Sequence, residues 1–469
     1  MKLKEIRLKN FRCYEDLTVP LHEQLTVLVA PNGQGKTAIL DAIGISLWTY
    51  VRGFDLGENP SLDIYVDDIR LILDKRQDQS TMTRQLPTEI IATNINNFQW
   101  MRFREDEKNN GKTYEDKNAE KLNNESKEIQ QSIRKTDKQI KTLPIFLHYG
   151  VNRGLGRGET FSSPTLKLDF IDYSNIDENR NIRTFAYHEC LFSKSDYRNF
   201  KRWFHSVSMD YINNIIKALG TTINKYDIDN FETYQKKLNT PISSISIPVN
   251  EILKSSGWGN PSLIDFFDIG LEHKHHGRLK ISQLSDGIRN IFGMISDIAY
   301  RCYLLNSHLD KESAKETEGI VLIDEVDMHL HPAWQQTILQ DLQTAFPKLQ
   351  FIVTTHSPQV LSTIRKEHIR IVKDGELLEL NAAIQTYGEL SSDVLHTVMN
   401  VNPRPPIPER QDLDELTRLV DSGLYNDPKV REVLDKVTIE LGENAEAVKR
   451  IKRSIERQQR FAELKERDK

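Results

Sequence analysis

The sequence predicts an α/β protein that carries a charged insertion and a helical C-terminal tail. Three observations predict it. Leu25-Thr26-Val27-Leu28-Val29 is a short apolar, β-branched run; a glycine-rich turn follows, and then Ala38, Ile39, Ala42, Ile43 and Leu47 recur at helical spacing. Gly319 to Ile323 is a continuous apolar run, and Leu349 to Val353 is a second buried strand; both end in polar side chains, as buried parallel strands do when their C-terminal ends face a site. Residues 104–143 are almost entirely charged or amide-bearing, and Asp412 to Lys469 is helical in pattern.

The elements follow in order. Leu3, Ile6 and Leu8 alternate with Lys4, Arg7 and Lys9, which predicts a half-buried strand. Asn10-Phe11-Arg12 turns the chain, and Leu17 to Leu21 returns as a second strand. Thr88 to Thr93 is a further strand. In the insertion, Leu122, Ile129, Ile133 and Ile140 fall at loosely helical spacing; a solvated, partly disordered segment and a projecting helical hairpin or coiled coil both fit. Leu143 to Leu147 restarts the core. Trp203, Phe204, Val207, Tyr211, Ile212, Ile215 and Ile216 keep one helical face and are expected in the core. Glu272-His273-Lys274-His275-His276 has no matching carboxylate or cysteine spacing, so a solvated loop is preferred to a metal site. Pro403 to Pro408 is a stiff linker. The basic residues Lys449, Arg450, Lys452, Arg453, Arg457 and Arg460 lie along one helical stretch, as a solvated face or as a contact for nucleic acid or an acidic partner.

The 469 residues suffice for two or more cores, and 38% hydrophobic with 28% charged residues is a globular composition. A net charge of −5 argues against a wholly nucleic-acid-coated surface. Cys13, Cys190 and Cys302 lie far apart without metal-ligand spacing, as free thiols in a reducing compartment do. No run reaches the roughly 18 apolar residues of a membrane span, and the N-terminus opens no apolar leader. The expectation is a cytoplasmic protein with no membrane partner.

Chemistry concentrates in four stretches. Ala30-Pro31-Asn32-Gly33-Gln34-Gly35-Lys36-Thr37 sits between strand and helix, the context of a phosphate-binding loop. It departs from the common pattern only at Ala30. Glycines let the backbone turn tightly, and amides at a helix N-terminus favour an anion. The expected nucleotide contacts are Asn32, Gly33, Gly35, Lys36, Thr37 and Ala38, with Lys36 reaching the β/γ-phosphates and Thr37 ligating Mg²⁺. The run Gly319 to Ile323 ends in Asp324-Glu325: Asp324 is the expected Mg²⁺ holder and Glu325 the general base for an attacking water. His356 follows the strand at Leu349 and is expected over the γ-phosphate. Leu284-Ser285-Asp286-Gly287 precedes an amphipathic helix, where the Ser285 hydroxyl and Gly287 amide form a second anion site.

Taken together, the loop 30–37, the segment 284–287, the pair 324–325 and His356 resemble the P-loop ATPase heads of the ABC type, of the SMC/RecF/OLD group. The resemblance implies a head with a mixed sheet that binds ATP and Mg²⁺. It also implies a head-to-tail homodimer, or an oligomer of dimers, in which one subunit's 284–287 completes the other's site. Asp327 to Pro332 resembles the loop that crosses that interface. The group's lobe-coupling glutamine is absent; Asn152 and Arg153 occupy its place. Asp286, where glycine is usual, resembles the OLD-like branch.

More narrowly, Lys2 to Phe11, Leu147 to Arg153 and His329-Leu330-His331-Pro332 resemble the PtuA family, the ATPases of Septu-type antiphage systems and of some retrons, over about residues 1–408. That implies a regulatory ATPase with an HNH nuclease partner (PtuB-like), and DNA reached through the complex. No nuclease of its own is expected, because Asp412-Leu413-Asp414 starts a helix as a cap and too little chain follows for a Toprim domain. The alternative is a RecF/SMC-like DNA-repair or chromosome-handling ATPase that binds DNA directly. A transporter ATPase subunit fits less well with the short N-terminal strand-turn and Asp286. The expected divisions are 1–103, a first lobe with the phosphate loop; 104–143, the insertion; 144–280, the rest of that lobe with a helical subdomain; 281–402, a second lobe with the signature, acid pair and His356; and 403–469, linker and tail.

Overall fold

The computed structural model describes residues 1–54, 61–74, 81–108, 111–134, 141–151, 183–193, 197–220, 240–264, 268–378 and 384–467. The chain divides into two compact units, Met1–Val394 and Leu395–Lys469.

Two large sheets and a buried helix form the centre of the first unit. The central sheet has six strands in the order Glu376–Leu378, Ile369–Lys373, Leu25–Val29, Leu349–Thr354, Gly319–Ile323 and Ile145–Tyr149. All neighbours pair parallel except the terminal pair of Ile369–Lys373 with Glu376–Leu378, so the sheet is mixed. Its central strands are buried along their whole length, which explains why they are mainly apolar rather than alternating, with Thr26 and Gln350 the buried polar exceptions before the strand ends. A five-stranded antiparallel sheet runs Tyr14–Pro20, Leu3–Phe11, Thr88–Asn94, Gln99–Arg104 and Tyr114–Glu115. Gln350, fully buried, ties the two sheets: its amide accepts from Leu3 N at 2.8 Å and donates to Leu3 O at 2.7 Å and His22 O at 2.9 Å.

The helix Lys36–Val51 buries nearly all of its faces between these layers, as an all-round apolar helix must. Trp100 donates to Ser46 O at 3.0 Å from the second sheet. The described part of the charged insertion is the helix Lys117–Arg134. It does not project: it packs against Lys36–Val51 through Ala119, Leu122, Ser126 and Ile129. The approach is close at Ser126: a Cβ on Gly53 would meet its Oγ at 1.8 Å. Ile140, expected on the same face, lies outside the described residues, as do Asn152 and Arg153.

Trp203 and Phe204 are buried in the helix Tyr197–Gly220, against the helix Asp286–Leu305; the side chains of Ile212, Ile215 and Ile216 lie outside the described residues. His273, His275 and His276 sit at the hairpin turn joining Ile269–His273 to Gly277–Lys280, with the Trp258 ring 4.9 Å from His273. Among the described residues, no group of three or more His, Cys, Asp or Glu is arranged to hold a metal ion. No helix among them is long and apolar enough to cross a membrane.

The second unit holds three helices, Arg410–Asp421, Pro428–Leu441 and Glu446–Arg467, around Leu416, Val430, Val437 and Val448. The expectation that Asp412 caps a helix is corrected. The helix starts two residues earlier, because the turn Ile407 to Arg410 already closes with an Arg410 N to Ile407 O bond. Asp412 therefore lies inside the first turn and pairs with Lys436 at 2.8 Å, while Asp414 pairs with Arg404 at 2.6 Å.

Candidate functional site

The parallel register brings the strand ends together. Ile323 stands beside Tyr149 and Val353, Val353 beside Val27, and Ile371 beside Val29. The segments leaving Val29, Ile323 and Thr354 thus emerge at one edge, where open α/β sheets bind ligands. There a cavity of about 410 Å³ is lined by Asn32, Gly33, Gly35, Lys36, Thr37, Ala38, Asp324, Glu325 and His356, with Arg12, Cys13 and Gln34. Nine residues expected at the site from sequence share this one cavity.

The loop's shape is set by two left-handed glycines, Gly33 at φ 78° and Gly35 at φ 85°. Gly35 also has no room for a side chain: an added Cβ would lie 2.4 Å from Cys13 Sγ and 2.5 Å from the Tyr14 hydroxyl. That hydroxyl donates to Gln34 O at 3.0 Å, and Gln34 Oε1 accepts from Asp374 N at 2.8 Å, so the loop is pinned from both sides. The Lys36 ammonium donates to Ala30 O at 2.8 Å and Pro31 O at 3.4 Å, folded over the loop's own carbonyls. Burial lowers its pKa, and the carboxylates of Asp324, Glu325 and Asp327 oppose that shift.

Asp324 is nearly fully buried and held at three points. Its Oδ2 accepts from Thr37 Oγ1 at 2.8 Å, its Oδ1 from Thr354 Oγ1 at 2.5 Å, and its amide donates to Tyr149 O at 2.8 Å. The Thr37 hydroxyl and the Asp324 carboxylate are adjacent hard oxygen donors. A magnesium ion takes one or two such protein oxygens and completes its shell with phosphate and water, so these residues fit it. Glu325 adopts φ 48°, an uncommon value for a side-chain-bearing residue, and its amide donates to Thr354 Oγ1 at 2.7 Å. Glu325 lines the cavity. His356 is half-buried at the same edge; burial and the nearby Lys36 charge lower its pKa, favouring the neutral ring.

Ser285 and Gly287 are not in this cavity. Ser285 is exposed at the N-cap of the helix Asp286–Leu305, and its hydroxyl makes no capping bond. Gly287 packs instead on the post-acid loop, where an added Cβ would lie 2.5 Å from His329 O. Within one chain, the segment 284–287 therefore lies outside the cavity shared by the loop, the acid pair and His356.

Sequence reasoning missed Arg12. It follows the first strand at φ 51°, donates to Asp68 Oδ1 at 2.8 Å and Asp41 Oδ2 at 2.6 Å, and places a guanidinium at the cavity wall. Both partners are distant in sequence, so only its position in a tight turn beside the loop strand offered a signal.

Residues 1–361 match the family model described as AAA ATPase domain. The chain is 29% identical to "Retron Ec83 probable ATPase" of Escherichia coli, over 97% of this chain and 87% of that protein. It is 38% identical to "Retron Vc95 probable ATPase" of Vibrio cholerae serotype O1 biovar El Tor, over 34% and 32% of the respective chains. It is 34% identical to "Septu protein PtuA" of Bacillus thuringiensis, over 35% and 36%.

Proposed function

This chain belongs to the AAA ATPase domain family, and we propose that it is the ATP-driven regulatory subunit of an antiphage defence complex, controlling a partner HNH nuclease through head-to-tail pairing of two copies. The retron and Septu names of its relatives support the defence setting. The observation that carries the pairing is the separation of the anion sites: loop, acid pair and His356 share one cavity, while Ser285 stands exposed outside it. A second copy supplying Ser285 and Gly287 encloses a triphosphate from both sides.

In this reading the loop amides and Lys36 hold the phosphates. Lys36 exchanges its Ala30 and Pro31 carbonyls for phosphate oxygens. Thr37 and Asp324 would hold Mg²⁺, which would supply charge neutralisation to the phosphates. Glu325 takes a proton from the attacking water, and neutral His356 donates a hydrogen bond at the γ-phosphate. ATP favours the paired state because it contacts both copies there, and hydrolysis reverses the shift.

Glu325→Gln tests this directly. It keeps the side chain's shape and removes the base, so ATP binding persists, hydrolysis falls by about two orders of magnitude or more, and size-exclusion chromatography with light scattering shows an ATP-dependent dimer. A normal hydrolysis rate in Glu325→Gln rejects the base. The nuclease is tested by co-purifying the chain with the product of its neighbouring gene and following DNA cleavage across ATP concentrations; cleavage indifferent to nucleotide rejects the control.

A further inference from the structure

The C-terminal unit leaves one groove open. Between its first and third helices, Arg410–Asp421 and Glu446–Arg467, lies a cavity of about 670 Å³. Its reachable apolar lining is Pro405, Ile407, Leu441 and Ala447, laid over the buried core residues Leu413, Val420 and Ile451. Five arginines, Arg404, Arg410, Arg450, Arg453 and Arg457, outnumber its two carboxylates, Asp421 and Glu446. Arg450, Arg453 and Arg457 follow one another at spacings of three and four along the third helix, so they share a face, and all three are exposed. Arg453 makes an exposed 3.3 Å pair with Glu446; among the described residues no ion pair joins Arg450 or Arg457 to a carboxylate. Across the groove, Arg404 and Arg410 are both turned onto Asp414, at 2.6 and 3.9 Å.

An apolar trough flanked by two helices is the shape that receives a third, through anchors at positions i, i+3 or i+4, and i+7. Unpartnered guanidinium groups along one bank select carboxylates on the incoming helix, because bidentate arginine–carboxylate bonds are both strong and directional. Nucleic acid fits the groove less well. Its backbone wants cations without an apolar floor, its bases want aromatic platforms, and no aromatic side chain lines this groove among the described residues.

We propose that this groove docks an amphipathic helix with an acidic flank, supplied by a partner protein. The proposal rests on the proposed function only for which partner supplies that helix; the groove's chemistry stands apart from the nucleotide cavity.

The test uses the full-length chain and a labelled synthetic peptide about five helical turns long, with leucines at helical spacing flanked by glutamates. Controls are the same peptide with lysines for glutamates, the same peptide with glutamines for leucines, and duplex DNA. The acidic amphipathic peptide binds at least about tenfold more tightly than either peptide control, and the double substitution Arg450→Glu with Arg457→Glu removes about tenfold of that affinity, with the ATPase rate unchanged. The binding persists in Lys36→Ala, which separates it from the nucleotide reading. Equal binding of the lysine or glutamine peptide, undiminished binding to the double variant, or no peptide binding overturns the proposal. Duplex DNA bound through Arg450 and Arg457, with the peptide ignored, overturns it in favour of a nucleic-acid site.

Discussion

The Tyr149 hydroxyl donates a 2.8 Å hydrogen bond to the Asp297 carboxylate, while the Tyr149 carbonyl accepts at 2.8 Å from the amide of Asp324. One residue thus touches both the acid pair's strand and the helix that begins at the signature. Asp297 in turn accepts from Arg301 Nε at 2.9 Å, and Arg301 donates to Ala186 O and His188 O. All three side chains are buried. This network joins the strand beside Asp324 to the helix Asp286–Leu305 through the interior.

Breaking it at different points separates charge from hydrogen bonding. Asp297→Asn removes the carboxylate that Arg301 Nε contacts at 2.9 Å, and breaking a buried pair on one side costs about 3–5 kcal/mol. Tyr149→Phe keeps the ring and the ion pair and loses a single hydrogen bond, about 1 kcal/mol. Urea melts of the two variants compare them; equal costs would mean that the ion pair is not the element that holds the helix.

The two loop glycines separate backbone strain from space. Gly33 and Gly35 both need left-handed φ, so alanine strains either by roughly 1–2 kcal/mol. Only at Gly35 does the new Cβ also collide, with Cys13 Sγ and the Tyr14 hydroxyl; at Gly33 nothing lies within 4 Å. Gly35→Ala therefore loses ATP binding by more than about tenfold, and Gly33→Ala by much less. Titration with a fluorescent nucleotide reads both, and similar losses would show that strain alone decides.

What the sequence carried depended on how local the signal was. The strand, loop and helix from Leu25 to Leu47 are adjacent, so their order alone announces the phosphate loop. Asp324, Glu325 and His356 are legible because each ends an apolar strand. Arg12 was not legible, since Asp41 and Asp68 come beside it only in three dimensions. The insertion's packing was hidden for another reason: the buried face of its helix includes Asn123, Ser126 and Gln130, which carry no hydrophobic signal. The start of the tail helix was missed because a backbone turn at Ile407, not an aspartate side chain, sets it.

His148 makes the fold acid-sensitive. The ring is buried one residue before Tyr149, and burial pushes its pKa below the ordinary value against the pull of Asp41, whose Oδ1 is 4.0 Å away, and of Asp324. The unfolded chain's histidine, with a pKa of about 6.5, takes its proton first. Stability is therefore full above that value and is lost as pH falls through it toward the lower folded value. The melting temperature of the wild type drops between about pH 7 and pH 5, and His148→Gln, which cannot protonate, drops less. Identical slopes would assign the acid sensitivity to other groups.

Trans-complementation bears on whether Ser285 serves its own chain or a neighbour. Lys36→Ala removes the phosphate cation, and Ser285→Arg blocks the exposed hydroxyl position without touching the cavity that holds Lys36. Each variant alone forms dimers with two defective sites. If the pairing is head-to-tail, a mixed dimer has one site carrying both defects and one with Lys36 and Ser285 intact. An equal mixture, in which half the dimers are mixed, then recovers about a quarter of the wild-type ATPase rate when the sites act independently. If each chain completes its own site, mixing recovers nothing beyond the average of the two inactive variants. Steady-state phosphate release, measured before and after subunit exchange, distinguishes the two, and an unchanged rate after exchange would remove the basis for reading Ser285 as the partner's contribution.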